Sequence, residues 1–366
     1  MKLVFLLTAL DYSGGPKMMA WLANQFAKLG HEVSIIAVYS KEIGQPLDES
    51  INFFSLNVEK SKSRFIRNTI EMIRVQKDVS TLINSIHPDV VIGFLYSVDY
   101  FFTLFNKMKR KSTKVILSQR LDPFQEKGIS GFIKKRIIAM ADGVVFQSQG
   151  AQSYYKASIK NSIVISNPVT TKTMSFQTAV RKFSERADII VVPARLNIKQ
   201  KRQDVMINAF ADVIINHPEA RLVLLGDGPD KELLERQINE KGLDGFASIH
   251  VAVSTAEAYV KDCKIMCLSS DFEGMPNALI ESLAIGINVI STDFSPGAAK
   301  DLIQNGVNGF IVPCGDHKAV ADRIVWYLDH PSESDRMANK AKQISTVQSE
   351  ESIFKRWNDF ISSICQ

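Results

Sequence analysis

Two glutamates, Glu273 and Glu281, flank seven residues in the segment Ser270-Asp271-Phe272-Glu273-Gly274-Met275-Pro276-Asn277-Ala278-Leu279-Ile280-Glu281. Paired carboxylates can serve hydrolysis, metal binding or recognition of hydroxyl groups. Gly274 and Pro276 keep the intervening residues from running as helix interior, because glycine is permissive and proline lacks an N–H, whereas proline suits the first helical position. The pattern predicts a strand over 264–269, a loop carrying Glu273, and a helix over 276–286. The amides of Asn277, Ala278 and Leu279 then stand at a helix start, where an anion is favoured, with Glu281 just over one turn further in. A ligand bearing both phosphate and hydroxyls would engage every part.

Cations lie where such a ligand would need them. Arg195 ends a predicted strand, and Lys199, Lys201 and Arg202 follow before the next helix; the guanidinium fork and the ammonium both suit a diphosphate. Gly226-Asp227-Gly228-Pro229 forms a strand-to-helix turn able to approach a planar base. Ser295-Pro296-Gly297-Ala298-Ala299-Lys300-Asp301 is a second run of small residues leading into a helix start. Ser13-Gly14-Gly15-Pro16 also joins a strand to a helix, as a ligand-approaching loop or as a tight turn; it matches neither the dinucleotide fingerprint nor a Walker loop. A glycosidase also uses two carboxylates, but the neighbouring cations and helix starts point to phosphate rather than to activated water. No Asp-x-Asp metal pair falls at a strand end, so Arg195, Lys201 and helix dipoles are expected in place of Mg²⁺.

The elements that must position these residues alternate between strand-length apolar runs and segments of helical period, the pattern of parallel sheets covered by helices. That pattern starts twice. Strand 3–9, helix 17–29 and strand 32–38 open one unit; strand 189–194, helix 203–216 and strand 221–225 open another, which predicts two doubly wound domains. Further strands are expected at 90–94, 114–117, 143–146 and 162–165, then at 248–251, 264–269, 288–291 and 310–312. The expected domains are 1–169 and 187–345, joined by the polar, aperiodic stretch 170–186. Ile353, Phe354, Trp357, Phe360, Ile361 and Ile364 form one helical stripe, so 346–366 is expected to pack down as a helix crossing back toward the first domain.

The 366 residues are 45% hydrophobic and 23% charged, an ordinary globular balance without a run long enough to span a membrane. The opening run Met1–Leu10 carries one Lys and is apolar like a signal, but Asp11 and Ser13-Gly14-Gly15-Pro16 follow where a cleavage region is expected, so it reads as a first buried strand. Cys263, Cys267, Cys314 and Cys365 make neither a C-x-x-C pair nor a metal-ligand spacing, so reduced thiols in a cytoplasmic protein are expected. Charge is uneven: residues 1–170 hold 22 Lys and Arg against 13 Asp and Glu, a net +9, while the remainder holds 22 against 26. The basic clusters at Lys60–Arg67, at Lys107–Lys111 with Lys114, and at Lys134-Lys135-Arg136 among Phe132, Ile133, Ile137 and Ile138 are either solvated helix ends or a surface for anionic lipid headgroups. Signatures of nucleic-acid-binding modules are absent, and no nucleic-acid partner is expected.

Glu273-x7-Glu281, Arg195 with Lys201, Gly226-Asp227-Gly228-Pro229, Asn305-Gly306-Val307-Asn308-Gly309 and Asn167-Pro168 resemble, in type and order, the retaining glycosyltransferases of the GT-B fold, especially glycosyltransferase family 4. The resemblance covers nearly the whole chain. It implies an α/β architecture of two Rossmann-like domains facing across a cleft, the first binding acceptor and the second a nucleotide-sugar donor. It further implies that Arg195 and Lys201 bind the donor diphosphate, Glu273 the sugar and Glu281 the ribose. The amides of Asn277, Ala278 and Leu279 would bind the phosphate, Gly226, Asp227, Gly228, Gly274, Met275 and Pro276 would complete the donor site, and Gly14 and Gly15 would lie across the cleft beside donor and acceptor. Ser118-Gln119-Arg120-Leu121-Asp122-Pro123 carries Arg120 where many members have a histidine, leaving Arg120 and Asp122 as acceptor candidates; Lys199 is an alternative to Lys201. The expected reaction moves a hexose or N-acetylhexosamine from a UDP-sugar to a polyprenyl-diphosphate-linked oligosaccharide at the cytoplasmic face of the membrane, without a cofactor or metal. A nucleotide-sugar epimerase and a non-catalytic nucleotide-sugar-binding protein are the alternatives.

Overall fold

A computed structural model describes residues 1–11, 14–39, 43–58, 71–94, 97–108, 112–156, 158–251 and 256–366. The chain divides into two compact units, Met1–Ser166 with Phe354–Gln366, and Asn167–Ile353.

The first unit is built on strands β1 (Lys2–Leu7), β2 (Glu32–Ala37), β3 (Asn52–Ser55), β4 (Val90–Gly93), β5 (Lys114–Gln119), β6 (Gly143–Phe146) and β7 (Ser162–Val164). They form one parallel sheet in the order β3-β2-β1-β4-β5-β6-β7. In β1 and β2 every residue after the first is buried, so apolar residues run continuously instead of alternating, as expected of strands covered on both faces. The sequence pattern misses β3, a short edge strand of half-buried and exposed residues whose apolar run is only Phe53-Phe54.

The second unit contains β8 (Ala187–Pro193), β9 (Arg221–Leu225), β10 (Ala247–His250), β11 (Cys263–Leu268), β12 (Asn288–Thr292) and β13 (Phe310–Val312). Their order is β10-β9-β8-β11-β12-β13, again parallel. The chain runs outward from β8 through β9 to β10, then returns to the other side of β8 as β11. Ligands of such sheets collect beyond the carboxyl ends of the strands at that reversal.

Segment 170–186 is not the expected linker, because it packs within the second unit. Thr170 caps a helical turn at Thr171–Met174, Phe183 is 1% exposed in the core, and Arg186 reaches the Cys263 carbonyl and the Asn288 side chain. A few buried anchors outweigh the polar composition that suggests a linker. Burial lowers the Arg186 pKa to about 10.

The last helix, Glu350–Cys365, begins in the second unit and ends in the first. Within the first unit Phe354 meets the edge of Phe26 and Trp357 stacks on Phe94. A Cβ at Gly143 would lie 2.9 Å from the Phe360 ring, so the glycine makes room for that side chain. The expected stripe is therefore the packed face, although the part joining the first unit starts at Phe354 rather than at 346. Among the described residues no helix is long and apolar enough to cross a membrane. Lys60–Arg67, Lys109–Lys111 and Ser13 lie outside the described residues; Lys107 is described, and its ammonium is ion-paired with Asp142 at 2.7 Å rather than free for a headgroup.

Candidate active site

Strand β8 ends at Pro193, and the chain turns through Arg195 into a short helix, Ile198–Lys201, whose N-cap Asn197 accepts from the Gln200 amide. Beside it β11 ends at Leu268 and leads into Ser269-Ser270-Asp271-Phe272-Glu273. Two backbone contacts join this loop to its surroundings: the Asp271 amide donates to the Gln200 carbonyl at 2.9 Å, and the Glu273 amide donates to the Ser295 carbonyl at 2.9 Å. Side chains reinforce it. The Ser269 hydroxyl donates to the Lys201 carbonyl, the Thr292 hydroxyl donates to the Ser270 carbonyl, and Arg202 bridges Asp204 and Asp271. Those carboxylates, Asp204 first, raise the Arg202 pKa still further, so the bridge stays charged.

This framework brings Lys201 to Glu273, 72 positions away in sequence. The Lys201 ammonium and the Ser270 hydroxyl, at 2.6 Å, both donate to Oε1 of Glu273, while the Gln200 amide donates to Oε2 at 3.3 Å. The side chains of Lys201 and Glu273 are 17% and 8% exposed. A carboxylate so little exposed loses most of its hydration, and these donors replace it. Lys199 is exposed, so the pairing distinguishes the two lysines that the sequence left as alternatives. Arg195 is also exposed, at the strand end, and its carbonyl accepts from the fully buried Gln203 amide. Gln200, Ser270 and Gln203 escape sequence reasoning: polar residues of these types are common in loops, and nothing in their spacing marks them.

The helix after the loop is Asn277–Ile285, with Pro276 at its N-cap rather than inside its first turn. The Leu279 amide donates to the Pro276 carbonyl at 3.1 Å, which removes it from the expected set of anion donors. The Asn277 and Ala278 amides have no acceptor among the described residues. Glu281 is half-buried on the following turn, and the Asn277 side chain accepts from Asn167 at 2.6 Å. Gly274 is half-buried, and Met275 is buried in the second unit's core.

Gly226 and Gly228 answer a close backbone approach. A Cβ on Gly226 would sit 2.1 Å from the Ala194 carbonyl oxygen, and one on Gly228 would sit 2.2 Å from that of Leu196. The same turn is tied down where Asp227 Oδ1 accepts from the Gly228 amide and Asp230 accepts from the Ile198 amide. These residues hold the turn carrying Arg195 in place, whatever else they contact.

In the first unit Gly14 and Gly15 open the helix Gly14–Lys28 beyond β1. Arg120 lies just after β5, its guanidinium 3.9 Å above the Phe94 ring and donating to the Ser118 hydroxyl. Asp122 is 4% exposed, and its two oxygens accept from the Phe124 amide and the Gln125 side chain, each at 3.0 Å. It caps the turn Pro123–Gln125 and is not offered to an acceptor, contrary to expectation.

Residues 174–344 match the family model described as Glycosyl transferases group 1. The chain is 26% identical over 352 residues to the GalNAc-alpha-(1->4)-GalNAc-alpha-(1->3)-diNAcBac-PP-undecaprenol alpha-1,4-N-acetyl-D-galactosaminyltransferase of Campylobacter jejuni, covering 94% of this chain and 93% of that protein. It is 22% identical to the amylovoran biosynthesis glycosyltransferase AmsD of Erwinia amylovora, covering 99% of each. Among solved structures, Anabaena Alr3699/HepE in complex with UDP superposes with a TM-score of 0.80 at 16% identity, covering 99% of this chain and 100% of that one. With two parallel Rossmann-like sheets and a matching transferase domain, the chain is a glycosyltransferase of the GT-B fold.

Proposed function

We propose that this protein transfers a hexose or N-acetylhexosamine, with retention of configuration, from a UDP-sugar to a polyprenyl-diphosphate-linked oligosaccharide in bacterial surface glycan synthesis. The observation that carries the reading is the Lys201–Glu273 pair at the reversal of the second sheet, with Arg195 at the adjacent strand end. The undecaprenyl-diphosphate-linked glycan named for the Campylobacter relative and the UDP in the Anabaena complex support the acceptor and donor classes.

In this reading the difficult step is departure of the nucleoside diphosphate, which leaves negative charge on phosphate oxygen. Arg195, Lys201 and the Asn277 and Ala278 amides stabilise that charge, and they help most where it develops, in the transition state. Glu273 accepts hydrogen bonds from hydroxyls of the sugar, and Glu281 from the ribose. The anomeric carbon–oxygen bond to phosphate breaks, the acceptor oxygen bonds to the same face, and the acceptor proton passes to the departing phosphate. Lys201 is then shared between Glu273 and diphosphate, so the carboxylate holds the ammonium in place before donor arrives. No metal takes part, and the enzyme works at the inner face of the plasma membrane.

The test is a panel of nucleotide sugars offered with a polyprenyl-diphosphate-linked sugar acceptor, with and without a chelator, read by product mass and by NMR of the new anomeric centre. Retained configuration, dependence on acceptor and indifference to chelator are expected. Sugar inversion without acceptor would identify an epimerase, and donor binding with no turnover a non-catalytic binder.

A further inference from the structure

The helix Gly128–Ile138 in the first unit is turned inside out relative to an ordinary surface helix. Ile129, Phe132 and Ile133 are 80%, 61% and 51% exposed, and with the exposed Arg136 they follow the i, i+3, i+4, i+7 spacing of a single face. The opposite side is the anchored one. Gly131 and Ile138 are buried, and a Cβ at Gly131 would lie 2.4 Å from the Glu126 carbonyl oxygen, so the helix is held close to its own approach segment. Phe124, 48% exposed, shares with Phe132 a groove also lined by Tyr154, Lys127 and Lys135, so the apolar face continues onto it. Large apolar side chains gathered in this way on one outward face mark an interaction site.

We infer that this face docks on an anionic lipid bilayer, with Ile129, Phe132 and Ile133 entering the headgroup boundary and Lys127 and Arg136 meeting lipid phosphates. Charge selects this occupant. Arg136 lies on the apolar stripe itself, 5.3 Å above the Phe132 ring, and Lys127 is exposed at the helix start, while residues 1–170 carry a net +9. A second copy on the same face would bring these cations together, whereas a bilayer of anionic lipids attracts them. Lys134 and Lys135 contribute less, since Lys134 is paired with Glu126 at 2.6 Å and Lys135 donates to the Tyr154 carbonyl at 3.1 Å. The inference deepens the proposed lipid-linked acceptor by naming the surface that brings the enzyme to it, yet lipid binding is measurable with no sugar present and can fail separately.

The experiment is cosedimentation of the full chain with vesicles of phosphatidylcholine alone and of phosphatidylcholine containing phosphatidylglycerol, at low and high salt. The parent protein is expected to bind the anionic vesicles more tightly and to weaken as salt rises. Ile129→Ser with Phe132→Ser should lower partitioning at least tenfold, and Lys127→Gln with Arg136→Gln should lower it about 5-fold per charge on anionic vesicles only. Both variants alter exposed side chains, so an unchanged thermal midpoint and UDP affinity accompany the expected result. Failure of the parent to bind anionic vesicles, or undiminished binding of both variants, overturns the inference. So does a parent dimer that the Ile129→Ser, Phe132→Ser variant converts to monomer without any lipid affinity having been present, since the face would then cover a second copy.

Discussion

Replacing Glu273 by Gln keeps the shape of the side chain and removes its charge, leaving Lys201, 17% exposed, without its carboxylate. Removing one member of a buried ion pair costs about 3–5 kcal/mol. Partial exposure of Lys201 and the retained Ser270 hydroxyl reduce this, so a loss near 3 kcal/mol is expected, or a fall of about 6–12 °C in the unfolding midpoint of the second unit. Lys201→Met should cost less, because Glu273 keeps the Ser270 and Gln200 hydrogen bonds. The double variant removes both charges, so its loss should fall short of the sum by about 1.5–3 kcal/mol. Calorimetry and urea unfolding of the four proteins complete the cycle. The same proteins separate the roles: Lys201→Met should lose UDP affinity, whereas Glu273→Gln should keep it while kcat falls on the order of 10²–10³-fold. Losses that add within about 0.5 kcal/mol would refute the pairing. Equal loss of UDP affinity and turnover in Glu273→Gln would refute the sugar-facing role.

Three other outcomes are expected. Glu281→Ala should weaken UDP binding measured by titration calorimetry, and unchanged affinity would remove Glu281 from the ribose. Gly228→Ala would drive a Cβ to 2.2 Å from the Leu196 carbonyl oxygen and should destabilise the second unit by about 1–3 kcal/mol, read as a lower thermal midpoint. At pH 8, a thiol reagent should modify Cys314 and Cys365 in the native protein and all four cysteines only in denaturant. Burial raises the Cys263 thiol to about 12 and that of Cys267 higher still, so both remain protonated at that pH. This preference for the thiol stabilises the fold below the ordinary thiol pKa and is lost as pH rises toward the raised value.

Periodicity made most of the strands legible because each is a continuous apolar run between turns, and helical spacing revealed the packed face of the last helix. β3 escapes it because Phe53 and Phe54 alone, between Asn52 and Ser55, are too short an apolar run to mark a strand. The segment 170–186 resembles a linker in sequence because its polar composition conceals Phe183 and Arg186, which are buried by neighbours far away in sequence.

By itself the sequence determined two parallel α/β units and the glutamate pair with its helix start and nearby cations, since these follow from local pattern and spacing. Only the tertiary structure decided which groups meet. The strand order sets β8 beside β11, so Lys201 reaches Glu273 while Lys199, two residues earlier on the same helical turn, stays in solvent. It also withdrew Asp122 into a turn cap and Leu279 into a helical hydrogen bond, and turned the apolar stripe of Gly128–Ile138 outward. Composition records which side chains are available; whether each is spent on its neighbours or left facing a ligand depends on contacts that spacing along the chain does not encode.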